Sequence, residues 1–429
     1  MRVIMPPSYL RSRVARVLTS VLLTGIASLQ CGLARAAPEV EVLHWWSRGG
    51  DNVALQVFKD EFKYRGGVWH DVATDTSVDA LNIAMSRMAK GYSPTLVHWN
   101  AGWEVNSISR IGLSEPVTAQ RQHLENTILN SVLEMVSVDE QIVAIPVNVH
   151  SENWLWYRYD RVNAASSAAF ADWPQFLNFA RARKAAGETV LAVGSEPWQQ
   201  RLLFNNVLLG VAGPSVYRRF YVNRDRSVIR EPGFRQALSI FRSLQQYSKA
   251  FANGKWDEQV AAVANGEALT VSMGDWAKGE FQNLGLNAGD DLACIPSPST
   301  QNTLILVLDV FVRGRVHTEE EKQGQELFIE VVTDRIVNQR FNHLKGSLSP
   351  LKYTDLSDLD VCSKTAYRVL QDHTKTIEPF ASYGDRNYLS RIELLISNLF
   401  EQRSSVDNTL DAFEVLFFEE QDFRINEND

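Results

Sequence analysis

Short apolar runs alternate along this chain with stretches in which apolar residues recur every third or fourth position. Residues 40–43 read as a strand, and the helix predicted after them carries Leu55, Phe58 and Phe62 at helical spacing, with Asp51 near its cap position. A second helix has Leu81, Ala84, Met85 and Met88 on one side, and after the turn at 91–94 residues 95–99 form the next strand candidate. The alternation returns at 142–149, 190–193 and 268–273. Thr318 and Glu321 make a capping box ahead of a helix that would bury Leu327, Phe328, Val331 and Val332. Repeated strand–helix alternation predicts an α/β protein with parallel-rich sheets. No fixed-period repeat, low-complexity tract or flexible linker interrupts it.

The N-terminus departs from that pattern. Arg2, Arg11, Arg13 and Arg16 precede an apolar run from Val17 to Leu29 that is short for a membrane span, and Ala34-Arg35-Ala36 supplies small residues at cleavage spacing. Residues 1–36 are therefore expected to be a secretory signal, with no lipid anchor, since Ser28-Leu29-Gln30 ahead of Cys31 lacks the small residues a lipid-modified cysteine requires. Their removal takes five arginines and leaves 38 basic against 51 acidic residues, a net charge of −13. That balance disfavours nucleic acid and anionic membranes as partners. No later apolar run approaches eighteen residues, so the exported chain is expected to be soluble and not inserted in a membrane. Cys294 and Cys362 remain, and an oxidising compartment favours joining them, against the alternative of two buried thiols.

Catalytic signatures are missing. The chain has no G-x-G-x-x-G, P-loop, G-x-S-x-G elbow or H-E-x-x-H. A glycoside hydrolase stays as a minor alternative, because its two carboxylates have no short local signature. No cofactor or metal is implied.

Four segments together carry a resemblance. They are His44-Trp45-Trp46-Ser47-Arg48-Gly49-Gly50-Asp51; Pro146-Val147-Asn148-Val149-His150 with Asn153-Trp154-Leu155-Trp156-Tyr157; Met273-Gly274-Asp275-Trp276-Ala277-Lys278-Gly279-Glu280-Phe281; and 341–347, with Lys345-Gly346-Ser347. In order and spacing, with Gly194-Ser195-Glu196-Pro197-Trp198-Gln199 between them, the chain resembles the periplasmic sugar-binding components of ABC importers. These are extracellular solute-binding proteins of family 1, and the glucose or monosaccharide binders are the most similar. The resemblance implies a two-lobed periplasmic binding protein fold (type II) with a multi-crossing hinge. It places 37–148 and 277–312 in the N-terminal lobe, and 149–276 and 313–429 in the C-terminal lobe. The implied protein is a monomer that closes on one mono- or small oligosaccharide and passes it to ABC permease subunits. Alternatively, the same fold informs a membrane sensor, as the input of a histidine kinase or chemoreceptor.

A pyranose offers apolar C–H faces and a rim of hydroxyls, so a site for it needs aromatic faces together with donors and acceptors. Trp45, Trp46 and Trp276 are stacking candidates or else core residues, whereas Trp154 and Trp156 are expected in the core. Asp309 ends an apolar run, 304–308, where a carboxylate is costly without partners. The family pattern has this position accept from sugar hydroxyls, against the alternative of a structural ion pair. Lys345 would donate from the opposite side. Asp51 matches a family glutamate and is either a ligand contact or a helix N-cap. His98 and Asn100 match polar sugar contacts, and His98 is equally a packing residue. Asp275 reads as a helix cap and is left out of the site. Tyr383 aligns with a sugar-contacting histidine of the family. Thr74-Asp75-Thr76-Ser77-Val78-Asp79 replaces a glycine-rich loop, and Met85 replaces a lysine; with Tyr383, these departures point away from glucose, to another sugar or to an orphan binder that informs a membrane sensor.

Overall fold

A computed structural model describes residues 36–162 and 169–427 of the chain, so the expected signal segment lies outside the described residues except for Ala36. A six-stranded and a five-stranded sheet, whose main strand orders follow the same pattern, organise the rest. In the first, Glu39–His44 pairs in parallel with Val68–Ala73 and with Leu96–Asn100, and Asp309–Gly314 then adds antiparallel to Leu96–Asn100. In the second, Leu191–Ala192 pairs in parallel with Ser248–Lys249 and Thr270–Ser272, and Trp154–Arg158 runs antiparallel between Thr270–Ser272 and Leu292–Pro296. Each sheet thus receives one antiparallel strand from a distant part of the chain. These strands tie the two lobes of an α/β, type II binding-protein fold.

Local chemistry sets the helices. Thr76 accepts from the N–H of Asp79 at 3.1 Å and starts helix Ser77–Ala89. Thr318 and Glu321 cap each other's backbone at the start of Glu319–Thr333, as the sequence predicts. The buried side of that helix carries Phe328, Val331 and Val332. Three expectations need correction. Helices Glu319–Thr333 and Arg335–Lys345 pack against Glu39–His44 and helix Gly49–Tyr64 of the first lobe, not the second. Strand Leu292–Pro296, placed with the first lobe by resemblance, is hydrogen-bonded into the second sheet. The run 142–149 is not one strand but short pieces, Gln141–Ile142 and Ile145–Pro146. Lobe membership follows from contacts far apart in sequence, which local periodicity does not contain.

Between the sheets a small three-stranded ribbon joins His150–Ser151, Leu304–Val307 and Thr376–Ile377. The chain passes here on its way from one sheet to the other. Cys294 and Cys362 are disulfide-bonded, with Cα atoms 5.8 Å apart, fastening helix Val361–Leu370 to the second sheet. Trp154 and Trp156 are fully buried, as expected. Among the described residues no helix is long and apolar enough to cross a membrane.

Candidate functional site

The strand that crosses into the first sheet begins at Asp309, which is 5% exposed. Its register partner on the neighbouring strand is Asn100, whose amide donates to Oδ1 at 2.9 Å. His98 lies two residues earlier on the same strand, hence on the same face, and its Nε2 is 3.3 Å from that oxygen. The other oxygen, Oδ2, accepts from the Asn148 amide at 2.8 Å, while Asn148 Oδ1 accepts from the Asp309 N–H at 3.0 Å. His150 Nε2 is 3.4 Å and Lys345 Nζ 3.9 Å from Oδ2. Burial works against the charge of Asp309, but hydrogen bonds from His150 and His98 and the charge of Lys345 outweigh it. They hold the carboxyl well below the usual range.

The two histidines around Asp309 differ. Burial drives His98 down to about 4, against the pull of Asp309, so its imidazole is neutral. For His150 burial also opposes the charge, yet Asp275 beside Nδ1 pushes its value up. Asp275 stands at the N-cap position of helix Trp276–Asn283 but makes no side-chain cap. Instead it bonds His150 and accepts from the N–H and hydroxyl of Ser151, each at 3.0 Å. The sequence reading of Asp275 as a cap is therefore corrected. Asp309, Asn148, His150 and Asp275 form one polar chain through the segments that connect the lobes.

Lys345 closes helix Arg335–Lys345, followed by Gly346 in the left-handed region at φ +86. Its Nζ donates to Asp51 Oδ1 at 2.6 Å. Asp51 lies in the first turn of Gly49–Tyr64, whose N-cap is Arg48, so it is an ion-pair partner and not the cap. Each charge complements the dipole at its own helix end. Lys345 Nζ also sits 4.9 Å from the Trp46 ring centre.

The aromatic candidates separate by exposure. Trp46 is 1% exposed, packed on His98, Phe311 and Phe341, and belongs to the core. Trp45 is half-buried, with one face stacked on His98 at 3.7 Å between ring centres. Trp276 is half-buried and edge-on to His150 at 5.4 Å. A Cβ at Gly274 would lie 2.1 Å from the Trp276 ring, so the glycine of Met273-Gly274-Asp275-Trp276 makes room for the indole. Tyr383 is not brought to this group. It stacks on Tyr221 in the second lobe's core at 5.5 Å, and its hydroxyl donates to the Glu378 carbonyl at 2.9 Å. Sequence reasoning missed Asn148 and His150 as site members, although both lie in a segment that it singled out.

Residues 58–351 match the bacterial extracellular solute-binding protein family. A probable sugar-binding periplasmic protein of Brucella suis is 30% identical over 355 residues, 80% of this chain and 83% of that one. The chain belongs to the bacterial extracellular solute-binding protein family. Among solved structures, a chitin oligosaccharide binding protein has the same fold, with a TM-score of 0.75, 17% identity, and coverage of 89% of this chain and 98% of that one. The solute receptor AcbH, described as having an exclusive preference for β-D-galactopyranose, gives a TM-score of 0.74 at 14% identity, covering 90% of this chain and 99% of that one. In this solute-binding protein the candidate residues with exposed surface are Trp45, Asp51, Asn100 and Trp276. His98, Asn148, His150, Asp309 and Lys345 form the buried frame behind them.

Proposed function

We propose that this protein is a periplasmic receptor that captures a mono- or small oligosaccharide between its lobes and presents it to an ABC importer, without catalysis. One observation carries the reading: Trp45 and Trp276, both half-buried, each contact a histidine that reaches the same buried carboxylate, Asp309. Two indoles about one rigid polar centre suit a ring with apolar faces and a hydroxyl rim. Asp309 already takes protein donors on both oxygens, so its part is to hold the frame. Asp51 and Asn100 are the polar groups left with surface to offer a sugar. The similarity to a protein named for sugar binding supports the same class of ligand. Family membership supports delivery to permease subunits, and the N-terminal signal expected from the sequence supports export.

Titration calorimetry with pentoses, hexoses and small oligosaccharides tests this. Micromolar or tighter binding of one of them is expected, about −8 kcal/mol or better. A panel that gives neither heat nor a rise in melting temperature would overturn it.

A further inference from the structure

Three glycines from three of the sequence segments meet where the lobes touch. A Cβ at Gly50 would lie 2.8 Å from the backbone of Gly279, one at Gly279 2.4 Å from the Leu344 carbonyl, and one at Gly346 2.4 Å from the Asp275 carbonyl. Gly50 lies in the first turn of one first-lobe helix and Gly346 follows the end of another. Gly279 lies on helix Trp276–Asn283, which connects two strands of the second sheet. Backbone therefore packs on backbone across the cleft. Into this seam Glu280 extends a carboxylate that accepts from the Gly50 N–H at 2.6 Å. The first-turn N–H groups of a helix have no partner within it, and Arg48 at the N-cap supplies no side-chain acceptor. Glu280 caps the first-lobe helix from the opposite lobe.

We propose that Glu280 is a positioning residue for ligand binding: it locks the second-lobe helix that begins at Trp276 onto the first-lobe turn that carries Asp51, fixing the two sides of the cleft at their working separation. The proposal rests on the saccharide-receptor reading. Its geometry also sets a sign for pH. Glu280 is 6% exposed and its carboxyl is raised, first by burial, against the Gly50 N–H, and then by Asp257 and Asp51. Those two carboxylates face it from neighbouring helices, Asp257 paired with Arg48 at 3.5 Å and Asp51 with Lys345 at 2.6 Å. Opening the cleft returns Glu280 to water and to an ordinary value. Closure then takes up protons, so affinity rises as pH falls from neutral through the raised value and levels off below the ordinary one.

The test compares wild type, Glu280→Gln and Glu280→Ala in the full exported chain. The probes are D-glucose, D-galactose, D-xylose and L-arabinose, titrated at pH 7 and pH 5. Hydrogen exchange at the Gly50 amide is followed in parallel, with and without sugar. Glu280→Ala leaves a buried N–H without an acceptor and is expected to weaken binding and speed exchange, each by about tenfold. Glu280→Gln keeps an oxygen for that N–H, so it should retain neutral-pH affinity and Gly50 protection while losing the rise in affinity toward pH 5. Glu280→Ala matching wild type in affinity at both pH values, with Gly50 still protected, would overturn the proposal. If neither these four sugars nor the small oligosaccharides bind wild type, the saccharide reading fails, and the exchange measurement alone still decides whether Glu280 holds the seam.

Discussion

At the scale of single residues, burial separates the frame from the surfaces that can meet a ligand. Trp46→Ala should cost stability, about 3–5 kcal/mol in urea unfolding, because a fully buried indole leaves a cavity. Trp276→Ala should cost less stability than Trp46→Ala, because the indole is only half-buried, and weaken saccharide binding by about tenfold or more, since a lost aromatic face is worth about 0.5–1.5 kcal/mol beyond its buried area. A Trp276→Ala protein with unchanged affinity would move that residue to the core. Asp309→Asn removes the charge that His150 and Lys345 share and should destabilise the fold by about 3–5 kcal/mol. His98 adds a pH dependence. Its value falls to about 4 in the folded chain, so the stability it contributes is present above its unfolded value and is lost as pH drops toward 4. Urea midpoints measured from pH 7 to pH 4 should fall through this window. A Phe at position 98 should reduce the slope, and an unchanged slope would contradict the assignment.

At the scale of elements, the disulfide supplies the clearest expectation. Reduction, or the Cys294→Ser and Cys362→Ser pair, should lower stability by about 4 kcal/mol, the chain-entropy value for a loop of this length. Two alkylatable thiols in the denatured, unreduced protein would show instead that the bond is absent. Much of the element pattern was legible in the sequence, because it rests on local chemistry: the Thr318–Glu321 capping box, the strand before Trp45, and the helical spacing of Leu55, Phe58 and Phe62. The rest depends on partners distant in the chain. Asp51 lies near a helix start, and only the position of Lys345, 294 residues away, shows that it forms an ion pair rather than a cap. Asp275 reads as a cap until the strand carrying His150, 125 residues away, is set beside it. Alignment to a family histidine puts Tyr383 in the site, but its ring is held by Tyr221, a contact that no local pattern encodes. The lobe of helices Glu319–Thr333 and Arg335–Lys345 is set by distant contacts in the same way.

At the scale of the whole molecule, the polar chain from Asp309 through His150 to Asp275 occupies the segments on which the lobes turn. On the proposed function, a ligand held between Trp45 and Trp276 would contact both lobes and so favour the closed arrangement by its difference in affinity for the two. Small-angle scattering should show a smaller radius of gyration on adding the sugar that binds, and no change would argue that binding and closure are uncoupled. The central claim is that a saccharide ring lies between these two indoles, against the buried frame of Asp309, and a crystal structure of the sugar complex tests it most directly. The account predicts a pyranose or furanose ring packed on Trp45 and Trp276, with its hydroxyls on Asp51 and Asn100; sugar density elsewhere on the protein, with both indoles untouched, would contradict it.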